Sequence, residues 1–406
     1  MSWNKVFNYF IEIKHTIGEN FTFDIPFKKL TEQYGTEEQY ERIKNLQLRQ
    51  FNSLLLIRYG DYSDIYGGEV DSNTYWNIYN GFYRECRSLV IDLDVEELVL
   101  TPYAKFLNMN ESELDSQENV LERISKANVV EFSNKLDGSM VSARYYKGDI
   151  IMSTSRELDR ISSWRLDLAY SYLNNNIKDM LKAHSDLTFM FELISKQDAH
   201  VVKYSEKDYG LHLIGIRDSR TGNVSNYDNI SFMANLNKVK CTKIEKITFD
   251  QMLEKIKTER SDEKEGWVLN IDGYRVKVKT DDYILLHKTL SHISSHNAII
   301  KAISDGTFDD LLSKIPNGHK DRVRDIYDKV IRYVQILNSG TEHYYTITLF
   351  SNTEKKHFMI NVDEKVPNRF KGYVRNKYLG KKNNYLQSPS GKYVTMKEID
   401  EVLNEK

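Results

Sequence analysis

The sequence predicts an α+β protein: antiparallel sheets flanked by helices over residues 1–290, then a mainly α-helical region over residues 291–406. Two observations predict it. Short apolar runs of strand length, mostly in hairpins, are scattered between helical stretches up to about residue 280. From Asp281 onward apolar residues recur at helical spacing instead. A chain of 406 residues has room for two or three domains, each with its own core.

In order along the chain, Trp3, Phe7, Phe10 and Ile11 stand at helical spacing. Phe51 to Tyr59 reads as a strand around Leu54-Leu55-Leu56-Ile57, followed by a polar, tyrosine-rich loop to about Phe82. Arg87 to Asp92 and Glu97 to Thr101 pair as a hairpin. Val129 to Lys135 and Ser139 to Thr154 give further strands, turning at Lys147-Gly148-Asp149. Ser162 to Lys182 reads as one helix, N-capped by Ser162 or Ser163, with Trp164, Leu168, Tyr172 and Ile177 on one face. Thr188 to Ile194 and Leu211 to Ile216 are apolar strands, and Asp250 to Arg260 is a helix. Gly266 to Ile271 and Tyr274 to Lys279 form a hairpin across Asp272-Gly273. Helices follow at Tyr283 to Thr289, Ala298 to Ile303, Asp309 to Ile315 and Arg322 to Leu337.

Composition excludes several classes. No apolar stretch is long enough to span a membrane, and the N-terminus leads into a mixed-polarity helical pattern rather than a signal peptide. Cys86 and Cys241 stand far apart and form neither a disulfide framework nor a zinc site, which points to a reducing, cytoplasmic setting. The net charge of -2 is uninformative, but from Lys365 to Lys397 there are nine Lys or Arg and no Asp or Glu. Phe370, Tyr373, Tyr378, Tyr385 and Tyr393 are interleaved with them. Cationic surface with rings suits RNA; a plain solvated tail has the same composition.

Asn134-Lys135-Leu136-Asp137-Gly138-Ser139 carries the chemistry. Lysine, one spacer, aspartate, glycine is a nucleophile motif, and it is also what a hairpin turn looks like. Partial desolvation among cationic neighbours frees the lone pair of such a lysine, and the glycine lets backbone approach a ligand. Four later stretches complete a constellation: Arg156 closing a strand, Glu192 on an apolar strand, Glu265-Gly266 opening a strand, and Lys277 and Lys279 on one face of another. Each alone is bland, since paired lysines usually mark an exposed strand face. Their order, with a strand at every member, is not.

This set resembles the covalent nucleotidyltransferase superfamily of DNA ligases, RNA ligases and capping enzymes, and within it the phage-type RNA ligase 1 family of tRNA-repair, ATP-dependent RNA ligases. Glu85-Cys86-Arg87 and Pro102 to Glu111 match blocks peculiar to that family, as do Lys277-Val278-Lys279 with Asp282-Tyr283 and Leu286-His287, and Ser304-Asp305-Gly306 before Asp309-Asp310-Leu311. The likeness covers about residues 50 to 335.

The resemblance implies a nucleotidyltransferase domain over 1–290 and an RNA-binding helical domain over 291–406. It implies ATP and Mg²⁺, or Mn²⁺, as cofactors, and RNA, a broken tRNA in particular, as partner. Lys135 would attack the α-phosphate; Glu192 and Tyr283 would complete the catalytic set. Tyr59, Arg87, Lys105, Lys135, Arg156, Glu192, Lys277 and Lys279 would bind ATP, and Glu265 and Asp309 would serve the metal. A virus-encoded enzyme acting in the host cytoplasm fits this reading. Two departures stand out: Arg156 replaces the usual lysine, and Ser88 follows Arg87 where glycine is expected. The alternatives are a DNA ligase or capping-type enzyme, or a non-catalytic RNA-binding protein with a relict pocket. Oligomeric state is left open.

Overall fold

The computed structural model describes residues 2–60, 72–198, 200–284, 296–313, 317–351, 354–387 and 392–404. The chain divides into two compact units, Met1–Ile284 and Leu285–Lys406.

The first unit holds three antiparallel sheets, ordered β1-β2-β3-β4, β11-β10-β5 and β7-β6-β8-β9. The first sheet comprises β1 (Gln47–Phe51), β2 (Leu54–Arg58), β3 (Arg87–Asp92) and β4 (Glu97–Leu100). Helices α1 (Lys5–Ile17), α2 (Phe27–Tyr34), α3 (Glu37–Ile43) and α4 (Ser72–Glu85) share its core. Val6, Phe10, Ile13 and Ile17 repeat at three and four residues, so α1 lays one apolar stripe on that core. The second sheet is β5 (Val130–Lys135), β10 (Gly266–Ile271) and β11 (Tyr274–Lys279). It is covered by α5 (Gln117–Lys126) and α9 (Phe249–Thr258), around the fully buried Trp267. The third sheet, β6 (Ser139–Tyr146), β7 (Asp149–Thr154), β8 (Leu187–Ile194) and β9 (Gly210–Asp218), packs under α6 (Trp164–Ser171), α7 (Asn175–Ala183) and α8 (Tyr227–Leu236).

Sheets two and three are stitched by residues 240–245. The Leu213 N–H donates to the Lys240 carbonyl, the Asn134 N–H to that of Lys243, and the Glu245 N–H to that of Phe132. The block Pro102 to Glu111 is laid along the free edge of β11, where the Met109 N–H donates to the Lys277 carbonyl and the Lys277 N–H to that of Leu107. Both contacts bring sequence-distant residues to one end of β5.

Several expectations change. β5 and β6 lie in different sheets, so Leu136-Asp137-Gly138 is a crossing between sheets and not a hairpin turn. β1 pairs with β2 through Asn52, which adopts the left-handed φ of 52° that asparagine tolerates. The loop expected before Phe82 contains α4, broken at Ile78–Gly81; 61–71 lie outside the described residues. Ser163 does cap a helix, but the expected single helix is two, because Asn174 caps a second. Trp164 is not on the buried face: it is 56% exposed.

The second unit contains α10 (His296–Asp305), α11 (Phe308–Ser313), α12 (Asn317–Ser351), α13 (Lys355–Lys365), α14 (Asn368–Tyr378) and α15 (Met396–Asn404). They share a core that includes Ile299, Val330, Phe358, Val374 and Ile399. The interleaved rings of the basic stretch face this core rather than offering free stacking faces. Phe370 is buried, Tyr378 stacks on Phe358 at 4.1 Å, and Tyr373 lies 4.8 Å from Tyr385. Among the described residues no helix is long and apolar enough to cross a membrane.

Candidate active site

Period-two alternation along β5 turns Glu131, Ser133 and Lys135 to one side. All three line a cavity of about 320 Å³, as do Lys277 and Lys279 from β11. Gly266 is the hub. It pairs with Lys135 on one side and Lys279 on the other, which places the adjoining Glu265 between two ammonium groups. The Glu265 carboxylate is 2.5 Å from Lys135 Nζ and 3.0 Å from Lys279 Nζ, and is almost completely buried. Gly266 has a φ of 149°, and a Cβ there would fall 2.0 Å from the Val278 carbonyl oxygen, so only glycine fits.

Gly138 is required for a different reason. Its Cβ would meet the Leu193 carbonyl oxygen at 2.3 Å, and its N–H donates to Glu192 Oε1 at 3.1 Å. Burial pushes Glu192 up to about 7, against the pull of Lys135. Asp137 is a fastener: it accepts from the Tyr283 hydroxyl at 2.8 Å and from the N–H groups of Val201 and Val202 at 2.8 and 2.9 Å. Tyr283 thus acts through Asp137, while its ring lies 4.9 Å from Lys279 Nζ.

Arg87, at the start of β3, lines this cavity and a second one of about 500 Å³ that adjoins it. Its Nη1 is buried without a hydrogen-bond partner, and burial lowers its affinity for the proton. Phe106 lies between two cations, 5.1 Å from the Arg87 guanidinium and 5.4 Å from Lys277 Nζ. Burial, with Lys105, Arg87 and Lys135 nearby, holds Lys277 well below the usual lysine range.

The other expected residues are distributed unevenly. Tyr59 and Arg156 line the second cavity. Lys105 lines neither; its ammonium sits over the rings of Tyr59 and Trp76 at 5.6 and 5.2 Å. Asp309 is exposed on α11 in the other unit. Among the described residues no group of three or more His, Cys, Asp or Glu forms a metal cluster. Ser88 does adopt the left-handed φ of 61° that glycine would suit, and its hydroxyl donates to the Ser155 carbonyl at 3.0 Å, beside Arg156.

Glu131 escaped sequence reasoning, although alternation from Lys135 would have found it. It accepts from Asn270 Nδ2 at 2.6 Å and the Tyr227 N–H at 3.0 Å at the far end of the cavity. Tyr204, whose hydroxyl accepts from the Asp137 N–H, and His200, 3.9 Å from Asp137, carried no sequence signal. Asp198, Asp137 and Glu192 outweigh burial and push His200 up.

A protein of Autographa californica nuclear polyhedrosis virus, named as a bifunctional polynucleotide kinase/RNA ligase, is 22% identical over 249 residues, covering 57% of this chain and 35% of its own. The chain therefore spans about a third of that relative's length. Among solved structures, a Naegleria gruberi RNA ligase with pyrophosphate overlaps at a TM-score of 0.35 and 19% identity, covering 42% of this chain and 56% of that one. An archaeal ATP-dependent RNA ligase overlaps at a TM-score of 0.43 and 12% identity, covering 89% and 100%. Residues 85–283, which contain Arg87, Lys135, Glu192, Glu265 and Tyr283, match the model of the RNA ligase family.

Proposed function

We propose that the chain is an ATP-dependent RNA ligase joining a 3′-hydroxyl to a 5′-phosphate, with broken tRNA as its substrate class. One observation carries the reading: the motif lysine opens into a cavity whose cationic lining, Arg87, Lys135, Lys277 and Lys279, comes from sequence-distant segments. Such a lining suits a polyphosphate, and the unpartnered guanidinium nitrogen of Arg87 marks a place for an anionic oxygen. The family match and the name of the viral relative support the same chemistry.

In the first step the neutral Lys135 amine forms a bond to the α-phosphorus of ATP and gives up a proton to solvent, the bond from that phosphorus to the bridging oxygen breaks, and pyrophosphate leaves. In the second, an oxygen of the RNA 5′-phosphate displaces the lysine, which regains a proton. In the third, the RNA 3′-hydroxyl loses its proton, attacks the 5′-phosphorus and expels AMP. Each is an in-line displacement in which positioning and charge neutralisation lower the barrier. Lys277 and Lys279 hold the α-phosphate oxygens; Arg87, Arg156 and Tyr59 orient the leaving pyrophosphate, and Lys105 adds positive charge from behind the Tyr59 ring. Glu192 accepts from the ribose hydroxyls, and Tyr283 keeps Asp137 and the sheet crossing in place. The buried, hard carboxylates Glu265 and Glu192 fit a Mg²⁺ or Mn²⁺ ion that keeps much of its own water. Such an ion supplies charge neutralisation on the phosphates.

The test is incubation with α-labelled ATP and a divalent cation, followed by a denaturing gel. The protein takes up label, pyrophosphate removes it, and Lys135→Ala stays unlabelled. An unlabelled wild-type protein with both Mg²⁺ and Mn²⁺ present would sink the proposal.

A further inference from the structure

The second cavity is walled by Arg58, Arg87, Arg156 and Arg165, and it meets the nucleotide cavity at Arg87, Gly138 and Met140. Glu157 is the carboxylate on its lining, and Arg49 stands 3.6 Å from that carboxylate. Arg165 is clamped in place by Asp198, its Nε and Nη2 donating at 3.0 and 2.9 Å. Between two of the lining residues, Ser163 and Arg165, the chain carries Trp164, 56% exposed, three positions after Ile161 at 97%. Packing does not explain the indole, because α6 buries Leu166 and Ala169 instead. The Arg165 guanidinium lies 4.7 Å from its ring, so the ring is held beside a fixed cation while more than half of the residue faces solvent.

We infer that this cavity and Trp164 form the seat for the 5′-phosphate end of a single-stranded polynucleotide, with phosphate among the guanidinium groups and the terminal base on the indole. The inference rests on the ligase reading and adds to it the site of the second substrate. The stereochemistry of displacement leads there. Lys135 enters at the α-phosphorus in the first step and leaves from it in the second. The departing pyrophosphate and the arriving 5′-phosphate therefore occupy the same side, opposite the lysine. A cationic hollow there serves both in turn, whereas an aromatic platform next to its lining residues serves only a substrate that carries a base beyond its phosphate.

The test separates the two steps. Full-length Trp164→Ala takes label from α-labelled ATP at the wild-type rate. Transfer of that label to a 5′-phosphorylated RNA oligonucleotide then requires about ten-fold more RNA for half-maximal rate, and Trp164→Phe recovers most of the loss. Wild-type RNA dependence in Trp164→Ala overturns the seat, as does an equal loss in self-labelling and transfer, which would make the indole structural. A wild-type protein that never takes label overturns the ligase reading and the seat with it; a labelled wild type with an indifferent Trp164→Ala overturns the seat alone.

Discussion

Glu192 ties residue chemistry to pH. Its carboxyl is raised from 4.5 to about 7 by burial, so the folded chain keeps a proton that the unfolded chain has lost. Stability therefore falls as pH rises from about 4.5 to about 7, by on the order of 3 kcal/mol, and is level above that window. Glu192→Gln removes this slope: urea midpoints at pH 5 and pH 8 come closer together than in the wild type. An unchanged difference would mean that Glu192 is ionised throughout. Ser88 offers a second residue-scale test. A left-handed serine costs roughly 1 kcal/mol of backbone strain, and its hydroxyl bond to Ser155 returns about as much. Ser88→Gly should then shift the thermal midpoint little, while Ser88→Ala, which keeps the strain and loses the bond, lowers stability by about 1 kcal/mol.

At the scale of elements, the site is a consequence of strand register. Lys135 and Lys279 flank Gly266 on opposite sides of β10, and Glu265, which precedes that glycine, lies between their ammonium groups. Gly266→Ala forces a Cβ into the Val278 carbonyl, and we expect a loss above roughly 2 kcal/mol together with loss of self-labelling. Normal labelling in that variant would show that the register is not what aligns the lysines. Tyr283→Phe tests the crossing between sheets. It removes one charge-assisted bond to Asp137, about 1.5–3 kcal/mol, while leaving the Val201 and Val202 N–H bonds. Labelling should slow in a folded protein, measured by circular dichroism and label uptake on one preparation.

For the whole molecule, the basic stretch from Lys365 to Lys397 cannot be cut away as a tail. Val366, Phe370, Val374 and Leu386 are buried in the core of the second unit, so removing them exposes that core. The informative change is at the surface. Lys381 and Lys382 are exposed, and replacing both with glutamate should raise the RNA concentration needed for sealing and flatten its salt dependence. Self-labelling should be unchanged. Equal effects on sealing and labelling would argue against an RNA contact there.

Much of this was legible in residue order. The strands bearing Lys135, Glu192, Lys277 and Lys279, the hairpin at Asp272-Gly273 and the helical second unit all follow from periodicity and turn chemistry, which are local properties of the chain. α4, the break between α6 and α7, and the inward rings of the basic stretch were not legible, because their faces are chosen by partners distant in sequence. Residue types and spacing thus singled out Lys135 and the cations that share its cavity. That Lys135 ends a strand of one sheet and Ser139 opens a strand of the next, that residues 102–111 edge β11, and that Glu265 stands between two lysines depend on long-range hydrogen-bond registers. Register is set by which faces find each other on folding, and no local pattern records that.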